Sequence, residues 1–226
     1  MEISKNKEFF IQAAGVRSSK EAKMLVDCGF THLGFPHFLP VNKEDTTLDG
    51  SKEIIASIKN IATPVLITYQ SKATEIMCTL DFLNVFCVQL HGSIKVNEID
   101  KLKENWTDIL IIKSLIIKDD SIEDALLQIE NYQDHVDSFI TDTYDPSTGA
   151  EGATGKTHDW EISKKIVELS EKPVILAGGL NPNNLEGAIK LVKPAGVDVH
   201  TGIEDERGNK DKTKATQFCK ICRERL

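Results

Sequence analysis

The chain has 226 residues, of which 40% are hydrophobic, and its 35 acidic residues outnumber its 27 basic ones, for a net charge of −8 at pH 7. This length fits one α/β domain with a large core, and the acidic balance argues against a nucleic-acid partner or an anionic membrane surface. No apolar run approaches the roughly eighteen residues of a membrane span, and the N-terminal segment lacks the apolar stretch of a secretory signal. The five cysteines, an odd number, favour reduced thiols and a cytoplasmic location.

Short apolar runs alternate with amphipathic stretches along the chain. Runs rich in β-branched and aromatic residues predict eight strands, at residues 9–14, 32–35, 64–69, 85–90, 109–115, 138–142, 174–177 and 196–199. Apolar spacings of three and four predict eight helices, at residues 19–27, 50–60, 72–80, 96–104, 122–131, 159–169, 183–192 and 210–225. Eight strand–helix repeats indicate a parallel sheet, either closed as a barrel or open and doubly wound. Without a linker or compositional break, we expect residues 1–226 to form one domain.

Two loops of small residues follow the seventh and eighth predicted strands. Gly178 and Gly179 follow the seventh, and Thr201 and Gly202 follow the eighth, which contains Asp198. Glycine lets backbone N–H groups approach a phosphate closely, and phosphosugar-binding barrels hold the phosphate after strands 7 and 8. We therefore predict a (β/α)8 TIM barrel whose ligand is a phosphorylated small molecule. We assign Gly178, Gly179, Asp198, Thr201 and Gly202 to phosphate binding.

A series of motifs in barrel-like order carries a family resemblance. The motifs are residues 12–17 (QAAGVR), 33–35 (LGF), 88–92 (VQLHG), 142–143 with 152–160, 176–181, 197–204, Gly208 and 210–211. This ordered set resembles the phosphoribosylanthranilate isomerase of tryptophan biosynthesis across nearly the whole chain. The resemblance implies a (β/α)8 fold and a phosphosugar isomerase, which in this family occurs as a monomer or a homodimer.

The implied reaction is the Amadori rearrangement of N-(5'-phosphoribosyl)anthranilate to a 1-amino-1-deoxyribulose 5-phosphate. A general acid protonates the furanose ring oxygen, and a general base removes the C2 proton. Asp142, at the end of the sixth predicted strand, matches the family's acid. His91 matches its histidine after strand 4, and Lys156 lies in the loop after strand 6, so we expect both at the substrate. The reaction needs no metal and no other cofactor.

The chain departs from the family at the catalytic end. Ala14 stands where the family's Lys-Ile-Cys-Gly motif has the cysteine that acts as base, and a methyl group cannot accept a proton. Lys43 aligns with a substrate-binding arginine but lacks the planar fork that grips a carboxylate. His200 and Thr201 replace a pair of serines, so that a hydroxyl is kept for phosphate.

Two interpretations stay open. In the first, the chain is this isomerase and His37 is the substitute base, because imidazole titrates near neutrality and the residue follows the second predicted strand. In the second, the barrel serves another phosphorylated ligand and has low or no activity on phosphoribosylanthranilate.

Two other motifs are better explained by ordinary structure. Residues 150–157 fit a relaxed nucleotide P-loop, but the preceding strand ends about eight residues too early for that motif. Cys219 and Cys222 have zinc-like spacing, yet they lie in a predicted helix and no second pair of ligands follows. We therefore expect an active-site loop and helix packing, respectively.

Overall fold

The computed structural model describes residues 9–40, 44–117, 122–145, 150–151 and 159–224. The strands are β1 (Phe10–Ala14), β2 (His32–His37), β3 (Thr63–Thr68), β4 (Cys87–Leu90), β5 (Leu110–Ile117), β6 (Ser138–Asp145), β7 (Ala150–Glu151), β8 (Val174–Leu176) and β9 (Gly196–Val199). The α-helices are α1 (Ser19–Cys28), α2 (Leu48–Ser57), α3 (Ala73–Leu83), α4 (Val96–Asn105), α5 (Glu123–Tyr132), α6 (Trp160–Leu169), α7 (Leu185–Val192) and α8 (Lys212–Arg223). A short 3₁₀ helix, Thr201–Ile203, follows β9.

Eight parallel strands close into a barrel. The strand order is β5-β4-β3-β2-β1-β9-β8-β6, and β6 also pairs with β5, so the ring is complete. At the seam between the first and last barrel strands, Gln12 of β1 lies opposite Asp198 of β9. The predicted (β/α)8 barrel is confirmed, and the open doubly wound sheet is wrong. The short strand β7 pairs antiparallel with β6, with Tyr144 opposite Glu151.

The predicted elements all occur, with boundaries shifted by a few residues. The strand β9 has the predicted bounds, whereas β2 and β6 continue to His37 and Asp145. The strand β7 and the 3₁₀ helix were not predicted, because elements of two or three residues are too short to show a periodicity.

Capping residues in the sequence mark where the helices begin and end. Ser18 caps α1 and Asp211 caps α8, and each side chain accepts a hydrogen bond from a backbone N–H of the first turn. Gly29 ends α1 at φ 117°, a left-handed conformation that glycine adopts without strain. Each helix thus returns the chain to the same end of the barrel, and the carboxyl ends of the strands meet at the opposite end.

The hydrophobic core has two parts because strand side chains alternate in direction. The larger part fills the space between the strands and the surrounding helices. The smaller part fills the inside of the barrel with Phe10, Ala14, Val65, Ile67, Cys87, Ile112, Ile140, Ile175 and Ala177. The buried polar residues Gln12, Gln89, Ser114 and Asp142 lie on the same strands, and they mark where the apolar core gives way to polar groups.

Among the helices in the described ranges, none is both long and apolar enough to cross a bilayer.

Candidate active site

A cavity of about 260 Å³ opens at the carboxyl ends of the barrel strands, the face at which barrel enzymes place their active sites. Ala14, Gln89, Asp142 and Asp198 line it from four different strands, and both glycine loops line it as well. The barrel therefore brings the two glycine loops and two carboxyl groups to one site.

Asp142 is held in a defined direction at this cavity. Its side-chain Oδ1 accepts a hydrogen bond from the backbone N–H of Thr143 at 2.7 Å, and its Oδ2 lies 3.6 Å from Nε2 of His91. Nδ1 of His91 in turn lies 2.7 Å from Oγ of Ser114. Asp142 is only 8% exposed, yet it lines the cavity. A fixed, nearly buried carboxyl group facing a cavity is what a general acid requires.

The loop after β8 is shaped by glycines and fixed by asparagines. Gly178 and Gly179 have φ values of 99° and 62°. The carbonyl oxygen of Gly179 accepts hydrogen bonds from Nδ2 of Asn184 at 2.9 Å and of Asn181 at 3.3 Å. These two asparagines were not predicted from the sequence, although amide side chains shortly after a glycine pair are a signal for a side-chain-supported loop.

The loop after β9 contacts the loop after β8 directly. A Cβ atom built on Gly202 would lie 1.8 Å from the carbonyl oxygen of Leu180, so only glycine fits there. Thr201 and Gly202 line the same cavity as the loop after β8. The two glycine loops are thus brought together, as the sequence analysis expected.

Charged residues at the rim of the cavity are already paired. Arg17 Nε lies 3.2 Å from Oδ1 of Asp45. Lys210 Nζ lies 2.8 Å from Oε1 of Glu204 and donates to the carbonyl oxygen of His200 at 2.9 Å. Burial, followed by the nearby Lys210 ammonium, lowers the pKa of His200 to about 4. The imidazole is therefore neutral at pH 7, and the rim carries little unbalanced charge.

His37 lies on the wrong face of β2 to act as the base. Its Nε2 is 2.8 Å from Oγ of Ser51 in α2, and its Nδ1 is 3.4 Å from Oε2 of Glu44. The preceding residue, Pro36, lines the cavity, so His37 points outward, toward the helices. The position contradicts the hypothesis that His37 is the catalytic base. The alternation of side chains along β2 is the signal that could have shown this.

The remaining predicted residues fall into three groups. His91, Asp142 and the glycine-loop residues meet at the cavity. Lys43 and Lys156 lie outside the described residues, as does most of the P-loop-like segment. Cys219 is buried in α8, and burial raises the pKa of its thiol, which fits helix packing. In the part of the chain that the structure describes, no group of three or more His, Cys, Asp or Glu side chains could hold a metal ion.

Asp198 belongs to the interior of the barrel rather than to the glycine loops. Burial raises the pKa of its carboxyl group to about 7, and the nearby Asp142 acts in the same direction, whereas a hydrogen bond from Gln12 and the charge of Lys210 oppose the shift. Asp198, which titrates near neutrality, lies near a second carboxyl group, that of Asp142. Carboxylates repel an anion, so this position does not suit a phosphate ligand. These surroundings argue against the assignment of Asp198 to phosphate binding.

The fold and the cavity define the chain as a (β/α)8-barrel enzyme. The family model for N-(5'-phosphoribosyl)anthranilate (PRA) isomerase matches residues 11–221. A relative from Methanosarcina mazei, N-(5'-phosphoribosyl)anthranilate isomerase 2, is 35% identical over 210 residues, which cover 92% of this chain and 91% of the relative. The phosphoribosylanthranilate isomerase structure from Thermotoga maritima has a TM-score of 0.81 at 25% identity, covering 96% of this chain and 100% of that one. The chain belongs to the N-(5'-phosphoribosyl)anthranilate isomerase family, as its motifs predicted.

Proposed function

We propose that this chain catalyses the Amadori rearrangement of N-(5'-phosphoribosyl)anthranilate to the corresponding 1-amino-1-deoxyribulose 5-phosphate, the reaction after which its family is named. The observation that carries the proposal is the position of Asp142. Its carboxyl group, 3.6 Å from His91, faces the same cavity as the two glycine loops. A sugar phosphate held by the loops would present its ring to this carboxyl group.

Asp142 is the general acid of this proposal. In its protonated form it donates its proton to the furanose ring oxygen, so that the C1–O bond opens and the anthranilate nitrogen forms a double bond to C1. His91 and the backbone N–H of Thr143 hold the resulting carboxylate. Stabilising the ionised product of the acid in this way favours the forward proton transfer.

The phosphate group is assigned to the two glycine loops. Backbone N–H groups of Gly178, Gly179, Thr201 and Gly202, with the hydroxyl of Thr201, supply donors for its oxygens. A phosphoribosyl anthranilate isomerase of the same fold, with a TM-score of 0.79 at 23% identity, was solved with reduced 1-(o-carboxyphenylamino)-1-deoxyribulose 5-phosphate. That complex supports a phosphorylated aminodeoxyribulose as the class of ligand.

The anthranilate ring is assigned to the opposite side of the cavity. Pro36, Leu39 and Tyr69 line this side and present apolar surface against which an aromatic ring can pack. Lys43 and Lys156 stay proposed contacts to the carboxylate and the sugar.

Ala14 supports a second candidate function. It lines the cavity where the family's thiol base is expected, and its methyl group cannot accept a proton. A barrel of this family with low activity on phosphoribosylanthranilate, which binds another phosphorylated small molecule, is consistent with this substitution. We place either function in the cytoplasm.

One experiment separates the two candidates. The full chain is produced in a tryptophan auxotroph that lacks the isomerase, and the purified protein is assayed for turnover of N-(5'-phosphoribosyl)anthranilate. We expect growth and turnover for the wild type, and a loss of about 10²–10⁴-fold in kcat for Asp142→Asn, which keeps the shape and removes the acid. A folded wild-type protein that supports neither growth nor turnover would leave the second candidate.

A further inference from the structure

The rearrangement requires a base, and the floor of the cavity contains a second carboxyl group that could serve as one. Asp198 lines the cavity together with Ala14. On the neighbouring strand β1, Gln12 lies opposite Asp198, and Ala14 is two residues nearer the mouth on the same face. The carboxyl group of Asp198 is therefore next to the place from which the thiol is missing.

A chain of hydrogen-bonding side chains runs across the barrel from Asp198 to Asp142. Nε2 of Gln12 donates to Oε1 of Gln89 at 3.1 Å, and Nε2 of Gln89 lies 3.3 Å from Nδ1 of His91. The other ring nitrogen of His91 faces Asp142. Gln12 is fully buried, and Gln89 and His91 are 3% and 5% exposed. Side chains this deep in a barrel must satisfy one another.

At the Asp198 end of this series of side chains, a hydrogen-bond donor is missing. Oε1 of Gln12 and Oδ1 of Asp198 are both buried and have no hydrogen-bond partner among the described residues, so the hydrogen bond from Gln12 that lowers the pKa of this carboxyl group leaves these two oxygens unsatisfied. A proton on Oδ1 of Asp198 would satisfy both, because the carboxyl group then donates to Oε1 of Gln12. Gln89 then donates to His91, and Nε2 of His91 carries its hydrogen toward an ionised Asp142.

The opposite arrangement satisfies the same atoms. Rotating both amides by half a turn exchanges nitrogen and oxygen at nearly unchanged positions. Gln12 then donates to an ionised Asp198, Gln89 donates to Gln12, and His91 accepts through Nε2 from a protonated Asp142. The hydrogen-bonded side chains from Asp198 to Asp142 are thus all satisfied when one of the two carboxyl groups is protonated and the other is ionised.

We propose that Asp198 is the general base of the rearrangement in place of the missing thiol, and that Gln12, Gln89 and His91 position it and link its protonation to that of Asp142. This inference rests on the proposed function. After Asp142 has protonated the ring oxygen, the Asp198 carboxylate takes the C2 hydrogen as a proton. The C2–H electron pair forms the C1=C2 bond, and the C1=N pair returns to nitrogen. The resulting enolamine becomes the ketone by losing its hydroxyl proton and gaining one at C1, and solvent exchange restores both carboxyl groups.

The first test removes the base and then replaces it. Asp198→Asn should lower kcat by about 10²–10⁴-fold with an unchanged melting temperature, and Asp198→Glu should retain more activity than Asp198→Asn. Adding Ala14→Cys to Asp198→Asn should restore at least tenfold, since the thiol takes over as base. If the wild type turns over and Asp198→Asn stays within tenfold of it, the role of Asp198 is wrong. If the wild type has no turnover, both the proposed function and this role are wrong.

The second test uses the pH profile, which a purely structural role would not change. The acidic limb of kcat/KM should report a group with a pKa of about 7, since burial sets that value for Asp198. The charged groups that face it are Asp142 on β6 and Lys210 beyond β9. In Gln12→Lys, which introduces the residue of the family motif, a new cation beside Asp198 should shift this limb by about one unit or more toward acid. If the acidic limb of kcat/KM lies at the same pH in Gln12→Lys as in the wild type, the limb belongs to another group. That result would overturn the proposal, even where Asp198→Asn is inactive.

Discussion

The two ends of the cavity are lined by different kinds of group, backbone at one end and side chains at the other. The end assigned to phosphate is made of backbone, with Gly202 of one loop against the carbonyl of Leu180 in the other and the carbonyl of Gly179 held by two asparagines. The floor is made of side chains, with Asp142, Asp198 and the residues between them in hydrogen-bonding reach. Backbone donors survive most substitutions, whereas side-chain chemistry changes with each one. This difference fits the proposal that Ala14 stands at the position of the family's base while the glycine loops keep the family pattern.

The largest effect at the backbone end should come from Gly202→Ala. The new methyl group would collide with the carbonyl oxygen of Leu180, and the two loops would have to separate. We expect kcat/KM to fall about 100-fold, mainly through KM, because a displacement of about 1 Å can have that effect. Inhibition by inorganic phosphate should weaken in parallel.

Gly187→Ala in α7 is the matched control. Apart from the adjoining backbone of its own helix, nothing lies within 4 Å of the new methyl group, and alanine is favoured over glycine in a helix by up to about 1 kcal/mol. This variant should keep full activity and unfold at a slightly higher temperature. A wild-type KM in Gly202→Ala would show that phosphate does not bind between the loops.

Asn184→Ala should have a smaller effect at the same end. It removes the donor to Gly179 and the acceptor that receives the backbone N–H of Asn181 at 2.8 Å, but leaves the glycines in place. Two neutral hydrogen bonds of about 0.5–1.5 kcal/mol each correspond to a rise in KM of roughly fivefold or more, with kcat retained. Asn183→Ala, an exposed neighbour whose backbone N–H makes its bond to Asn181, should change neither constant. A fall in kcat at constant KM in Asn184→Ala would place that loop at the chemistry instead.

The smallest effect on activity is expected at the far end of the barrel, where His32 stacks on Phe10 at 3.8 Å. Burial lowers the pKa of His32 to about 4, below its value of about 6.5 in the unfolded chain. As the pH falls through this interval, the unfolded state binds a proton and the folded state does not. The free energy of unfolding therefore decreases by about 3 kcal/mol. Melting temperatures between pH 7 and pH 4 should therefore fall less steeply for His32→Phe, with turnover at neutral pH unchanged. Equal slopes for the variant and the wild type would exclude this role.

The sequence predicted the barrel because its evidence is local. Each strand and each helix has its own periodicity, and residues at strand ends, such as Asp142 and His91, inherit a place at one face of the barrel. The pairing of Gln12 with Asp198 depends on how the ring closes, and no local pattern contains that register. His37 shows a different limit, because Pro36 resembled the start of a loop while β2 continued through it and turned the histidine outward.

The closure between β1 and β9 also has a consequence for the order in which parts of the protein fold. The segments beside this seam are joined by a hydrogen bond from Arg17 to the carbonyl of Gly208 at 2.6 Å and by another from Arg223 to the carbonyl of Cys28 at 2.9 Å. Such contacts between distant parts of a chain form slowly. The glycine loop after β8 can exist before this closure, but the floor that joins Gln12 to Asp198 cannot. During refolding, enzymatic activity should therefore return with the slowest kinetic phase, after most of the helix signal has recovered.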